Sequence, residues 1–124
     1  MVKHPEFHSI DHPSEGAIVR RLADGLTAHI FPGEQAMLSV VDVDPGAEGA
    51  LHAHPEEQWG LCLEGSGVRV QGDVEVPFRK GDFWRTPAHV PHTLRSGPEG
   101  CRVLDIFAPP RAEYRRGGSG FGEG

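Results

Sequence analysis

Glycine and proline return so often along this chain, 17 and 11 times in 124 residues, that no stretch of a dozen residues escapes both. Glycine loosens a helix interior, and proline removes a donor and clashes with the preceding turn. A regular amphipathic helix therefore has nowhere to run, and β structure remains. Short runs rich in apolar and β-branched residues recur: "AIVRRL", "LTAHIF", "AMLSVVDV", "WGLCLE", "GVRVQG", "VEVPF", "DFWRTP" and "CRVLDIF". Turn signals such as "DPGA", "EGSG", "QGD" and "KGD" fall between them. Eight or more short strands at this spacing predict an all-β sandwich or barrel. Residues 1–15 read as a polar N-terminal segment, 16–114 as the barrel, and 115–124, "RRGGSGFGEG", as a flexible glycine-rich tail. There is no internal repeat.

A chain of this length buries roughly two thirds of its unfolded surface without staples, so a metal would serve chemistry rather than folding. The net charge of −6 and the lack of a basic run argue against nucleic acid as a partner. No apolar run approaches the roughly 20 residues of a membrane span, and "MVKHPEFHSIDHPSE" has no signal-like apolar region. The expectation is a soluble, cytoplasmic protein. Cys62 and Cys101 lie inside strand-like runs and read as buried, reduced thiols.

Histidine carries the chemistry. In "LHAHPEEQWG", His52 and His54 are two residues apart. In extended chain such a pair shares one face with Cα atoms roughly 6.6 Å apart, close enough for both rings to reach one ion at about 2.1 Å. Gln58 has the same parity, and "HPEEQ" supplies a turn to bring it beside them; Glu56 and Glu57 read as solvated. His92, after the stiff "HVPH" segment, offers a third imidazole. His29 reads as an ordinary strand histidine, and His4, His8 and His12 have prolines that break any helical spacing. Three inward imidazoles and an amide would each need a partner, and a shared ion satisfies them together.

The spacing Gly46, His52, His54, Gln58, Gly65 resembles the first motif of the cupin superfamily, with glutamine where glutamate is usual. Gly81, Pro87 and "AHVPH" ending at His92 resemble the second, with His89 in place of the usual glycine and Ser96 where asparagine is common. The resemblance covers roughly residues 36–111. It implies a small double-stranded β-helix barrel, a homodimer, and one divalent transition metal (zinc, nickel, iron or manganese) held by His52, His54, Gln58 and His92. Four neutral ligands leave the ion its full double charge, which favours Lewis-acid work over the iron centre of an oxygenase.

"HPEEQ" together with Asp105, Phe107 and Arg111 resembles the cupins that linearise unsaturated uronates released from pectin and alginate. That resemblance implies a sugar pocket lined by Asp105, Phe107 and Arg111 beside the metal; the mechanism expected there has Arg111 clamp a carboxylate, Asp105 shuttle a proton and Phe107 shape the apolar wall. His89 stands in reserve for proton transfer, and Trp84 is either core or a substrate-binding wall. The expected partner is a small carboxylate or carbonyl compound. A metal-dependent dioxygenase, a polyketide cyclase or lyase, and a non-catalytic ligand-binding module remain as alternatives on the same barrel.

Overall fold

The computed structural model describes residues 4–122. The outermost parts of the expected N-terminal segment and tail, residues 1–3 and 123–124, lie outside the described residues. Eight strands follow in order: β1 (Ile18–Ala23), β2 (Leu26–Pro32), β3 (Met37–Val43), β4 (Glu57–Gln71), β5 (Val74–Arg79), β6 (Phe83–Thr86), β7 (His92–Ala108) and β8 (Gly118–Ser119), with one 3-10 turn at Ala112–Arg115. They line up as β5-β4-β7-β3-β2-β1-β8, and β6 joins β4. Every pairing is antiparallel except β1 with β8. The expected all-β double-stranded β-helix barrel is what forms.

One of the expected turns is not a turn. "EGSG" lies within β4, so the anticipated runs "WGLCLE" and "GVRVQG" merge into one strand of 15 residues, and "CRVLDIF" is the second half of a strand of 17. The register of this pair shifts between Cys62 and Glu64 and again between Gly65 and Gly67. Extra residues of this kind bend a strand and raise its twist, which is how one pair serves both halves of the barrel. Gly65 sits at the bend with φ +79°, and a Cβ there would stand 2.0 Å from the Gly100 carbonyl oxygen. Only glycine meets both conditions.

The bend changes which side chains face inward. Before it, Gln58, Gly60 and Cys62 alternate inward along β4; after it, the inward residue is Arg69. In β7 the inward set passes from His92, Leu94 and Ser96 to Cys101, Val103 and Phe107. Around these the apolar interior is built from residues such as Ile30, Met37, Val41, Phe78 and Tyr114. Each buried aliphatic or aromatic side chain contributes about 1.5–3 kcal/mol relative to exposure, which offsets the ordering of so many short strands. Cys62 and Cys101 are buried and free, as expected.

The glycine-rich tail is tied to β1. Gly118 and Ser119 pair with Arg20 and Arg21, and Phe121 packs against the core.

Candidate metal centre

His52 and His54 precede β4 in extended chain. His52 exchanges two backbone bonds with His92, its N–H donating to the His92 carbonyl at 3.1 Å and the His92 N–H donating back at 2.8 Å. This isolated bridge fixes the first half of the site to the start of β7. The two-residue spacing does what extended chain requires: both rings turn to one side, with centroids 5.9 Å apart, and the His92 ring stands 4.4 and 4.9 Å from them. One ring nitrogen from each lies within 4.8 Å of the others.

The tautomers follow from backbone partners. Nδ1 of His52 faces the Ala50 carbonyl at 2.8 Å, Nδ1 of His54 the Glu56 carbonyl at 3.0 Å, and Nδ1 of His92 the Val90 carbonyl at 2.8 Å. A carbonyl only accepts, so each Nδ1 carries the proton and each Nε2 presents a lone pair. Burial lowers all three rings, His52 to about 4 and His92 to about 3, the latter also because of Arg69. They are neutral imidazoles held as metal ligands are held.

The site passes a fit test for a cation. His92 Nε2 is buried with no hydrogen-bond partner among the described residues. Gln58 Oε1 stands 3.0 Å from His54 Nε2. With the His54 proton on Nδ1, that contact sets lone pair against lone pair, and a shared cation makes it favourable. Glu57, one residue earlier, faces outward in an ion pair with Arg85.

Asp105 lies beside this centre, on β7 opposite Gly60. Burial pushes its carboxyl up to about 6, against the pull of Arg69 and of the neighbouring Gln58 amide. Its Oδ1 is buried without a partner among the described residues. His52, Gln58, His92, Asp105, Phe107 and Arg69 line one small chamber. Arg111 does not line it: the guanidinium lies over the rings of Phe107 (5.8 Å) and Tyr114 (4.4 Å), with Glu56 3.7 Å away. All three of its side-chain nitrogens are buried without hydrogen bonds among the described residues. Trp84 packs against Phe78 and beneath Arg69, on the side of an outer groove that also includes Phe83. His89 is an exposed loop residue with φ +67°, and its N–H donates to the His54 carbonyl at 2.8 Å. Its main chain, not its ring, meets the site.

Two chamber residues have no counterpart in the sequence reading. Arg69, 5% exposed, donates to Thr86 Oγ1 at 3.0 Å; "GVRVQG" suggests two inward valines around an outward arginine, and the bend in β4 inverts that. Phe121 stacks on His52 from a segment that composition marks as tail. A lone aromatic residue among glycines was the available signal.

The sequence pattern of the family described as "Cupin domain" matches residues 39–107. The chain is a cupin. Over 88 residues it is 30% identical to the oxalate decarboxylase OxdC of Bacillus subtilis strain 168, a match spanning 66% of the cupin and 23% of that protein. Over 72 residues it is 32% identical to the dimethylsulfoniopropionate lyase DddW of Ruegeria pomeroyi, spanning 58% and 47%. Each match thus covers less than half of the relative's own length. Among solved structures, an RmlC-like cupin from Shewanella frigidimarina NCIMB 400 superposes with a TM-score of 0.75 at 26% identity, covering 91% of this cupin and 96% of that chain. KdgF from Halomonas sp. superposes at 0.71 and 24% identity, covering 77% and 88%, a likeness of fold. Its three-histidine group makes this cupin able to hold a divalent metal. No helix among the described residues is long and apolar enough to cross a membrane.

Proposed function

We propose that this cupin is a metal-dependent enzyme that opens and tautomerises a small sugar acid, an unsaturated uronate. Asp105 carries the reading: a carboxyl that lines the chamber with His52, Gln58 and His92, its buried Oδ1 without a hydrogen-bond partner among the described residues. A proton shuttle needs such an oxygen within reach of the ligand. When bound by His52, His54, His92 and Gln58, a divalent ion supplies Lewis acidity toward a ligand oxygen. Asp105 Oδ1 takes the proton of the anomeric hydroxyl as the C1–O5 bond breaks to an aldehyde and an enolate, and returns it to C4 as the enolate becomes a ketone, so no proton is gained or lost. Arg69, the cation in the chamber's own lining, is placed to meet the carboxylate; Arg111, the cation suggested by the sequence, lies behind Phe107 and would have to turn into the chamber to take that part. Phe107 gives the chamber an apolar wall.

The test is loss of the ultraviolet band of a 4,5-unsaturated uronate on mixing with protein whose metal content is known. Turnover is expected, and Asp105→Asn should lower kcat by about 100-fold or more with metal content unchanged. Metal-replete protein that leaves the band untouched overturns the reading. A second reading has its own support, the 32% identity to a lyase named for dimethylsulfoniopropionate: there Asp105 would take the proton beside the carboxylate as the C–S bond breaks, leaving an unsaturated carboxylate and dimethyl sulfide. Headspace detection of dimethyl sulfide separates the two. Oxygen uptake with a phenolic or diketone substrate would instead mark a dioxygenase, and stoichiometric metal with no turnover a binding module.

A further inference from the structure

One wall of the metal chamber does not come from the barrel's long strands. The Phe121 ring lies 4.2 Å from the His52 ring at an interplanar angle of 26°, and it lines the chamber with Gln58, Arg69 and Asp105. The segment that carries it is gripped by its backbone. β8 pairs with β1, and the Gly120 N–H donates to the Arg21 carbonyl at 2.8 Å. Arg20, buried and set over the Tyr114 ring, donates to the carbonyls of Gly120 (2.8 Å), Ser119 (2.8 Å) and Glu113 (3.0 Å). Gly120 and Gly122 flank the phenylalanine with φ of +79° and +80°, so the backbone on either side can turn without a steric penalty.

With the ring in place the chamber has room for about 30 Å³, which one or two waters fill. A six-carbon acid does not fit. We propose that Phe121 determines access to the chamber and the size of ligand that reaches His52, with residues 117–122 acting as a strap that Arg20 holds shut. This rests on the reading of the chamber as a ligand site, though not on which acid is turned over.

The experiment loads the full chain with cobalt(II) and follows its visible bands on mixing with azide, a three-atom anion, or glucuronate, a six-carbon acid. In Phe121→Ala the glucuronate association rate should rise at least tenfold while the azide rate stays within twofold. Arg20→Lys, which loosens the strap without touching the chamber, should shift the glucuronate rate in the same direction. Equal changes for both anions, or none, overturn the proposal. No change in Arg20→Lys overturns the strap. Should Phe121→Ala fold poorly, Phe121→Leu replaces it at nearly native bulk, with a smaller shift expected. In metal-free protein, diethylpyrocarbonate should modify His52 faster in Phe121→Ala, with exposed His89 as the internal control; equal His52 rates count against the proposal. Because these readouts need no turnover, an inactive cupin with a size-selective rate change would sink the uronate reading and leave the strap standing.

Discussion

At the scale of single residues, neighbours in sequence have opposite fates. Gln58 and Glu57 differ by one position, and strand alternation sends the amide to the histidines and the carboxylate to Arg85 at the surface. Gln58→Ala should weaken metal binding by at least about 10- to 100-fold, read by competition with a chromophoric chelator. Glu57→Ala should bind as the parent does, with stability changed by less than about 1 kcal/mol, since a half-exposed pair contributes little. Metal loss in Glu57→Ala instead would transfer the ligand role. Cys62 gives a separate check. Burial and the nearby Cys101 push its thiol up to about 11, so at pH 8 its thiolate fraction falls below that of an ordinary cysteine by roughly two hundredfold. Iodoacetamide should label native Cys62 at least that much more slowly than unfolded Cys62, and raising the pH toward 11 should narrow the gap. A native thiol that reacts at the unfolded rate at pH 8 would contradict its burial.

At the scale of elements, legibility tracks local alternation. The metal ligands were readable because His52, His54 and Gln58 lie within seven residues on one side of the bend, where parity counted along the chain equals parity in space. Arg69 was not readable, because one must cross two register shifts to count to it from Gln58, and nothing in "LEGSG" distinguishes a bulged strand from a hairpin turn. Glycine serves both. Phe121 was hidden for another reason: what fixes it is Arg20, a hundred residues away in sequence, and no local pattern reports a backbone carbonyl's partner. The bend itself is testable. Gly65→Ala meets both a left-handed backbone and a backbone oxygen at 2.0 Å, and should cost about 3 kcal/mol or more, lowering the urea midpoint by about 1 M or more. Gly46→Ala, with φ +70° but nothing within 4 Å, should cost only about 1 kcal/mol. Equal costs would mean that conformation alone, not the crossing with Gly100, decides the position.

At the scale of the whole molecule, folding and metal binding are separable. The apolar interior runs across the strands of both halves, and a chain of 124 residues buries enough surface to fold without an ion. Three neutral imidazoles and an amide impose no charge repulsion on the metal-free state, so the apoprotein keeps its barrel. The uncompensated elements are local: His92 Nε2 without a partner among the described residues and Gln58 Oε1 against His54 Nε2. An ion that relieves both binds the folded chain in preference to the unfolded one, and linkage converts that preference into stability. At about 100 times its dissociation constant the metal should add about 2.7 kcal/mol, which for a domain of this size raises Tm by about 10 °C. Scanning calorimetry should therefore show one cooperative transition with or without a chelator, moved by zinc, nickel or manganese in the native cupin and hardly moved in Gln58→Ala. Loss of the transition on chelation would make the ion structural, and an immobile Tm on metal addition would remove the centre on which the chemistry depends.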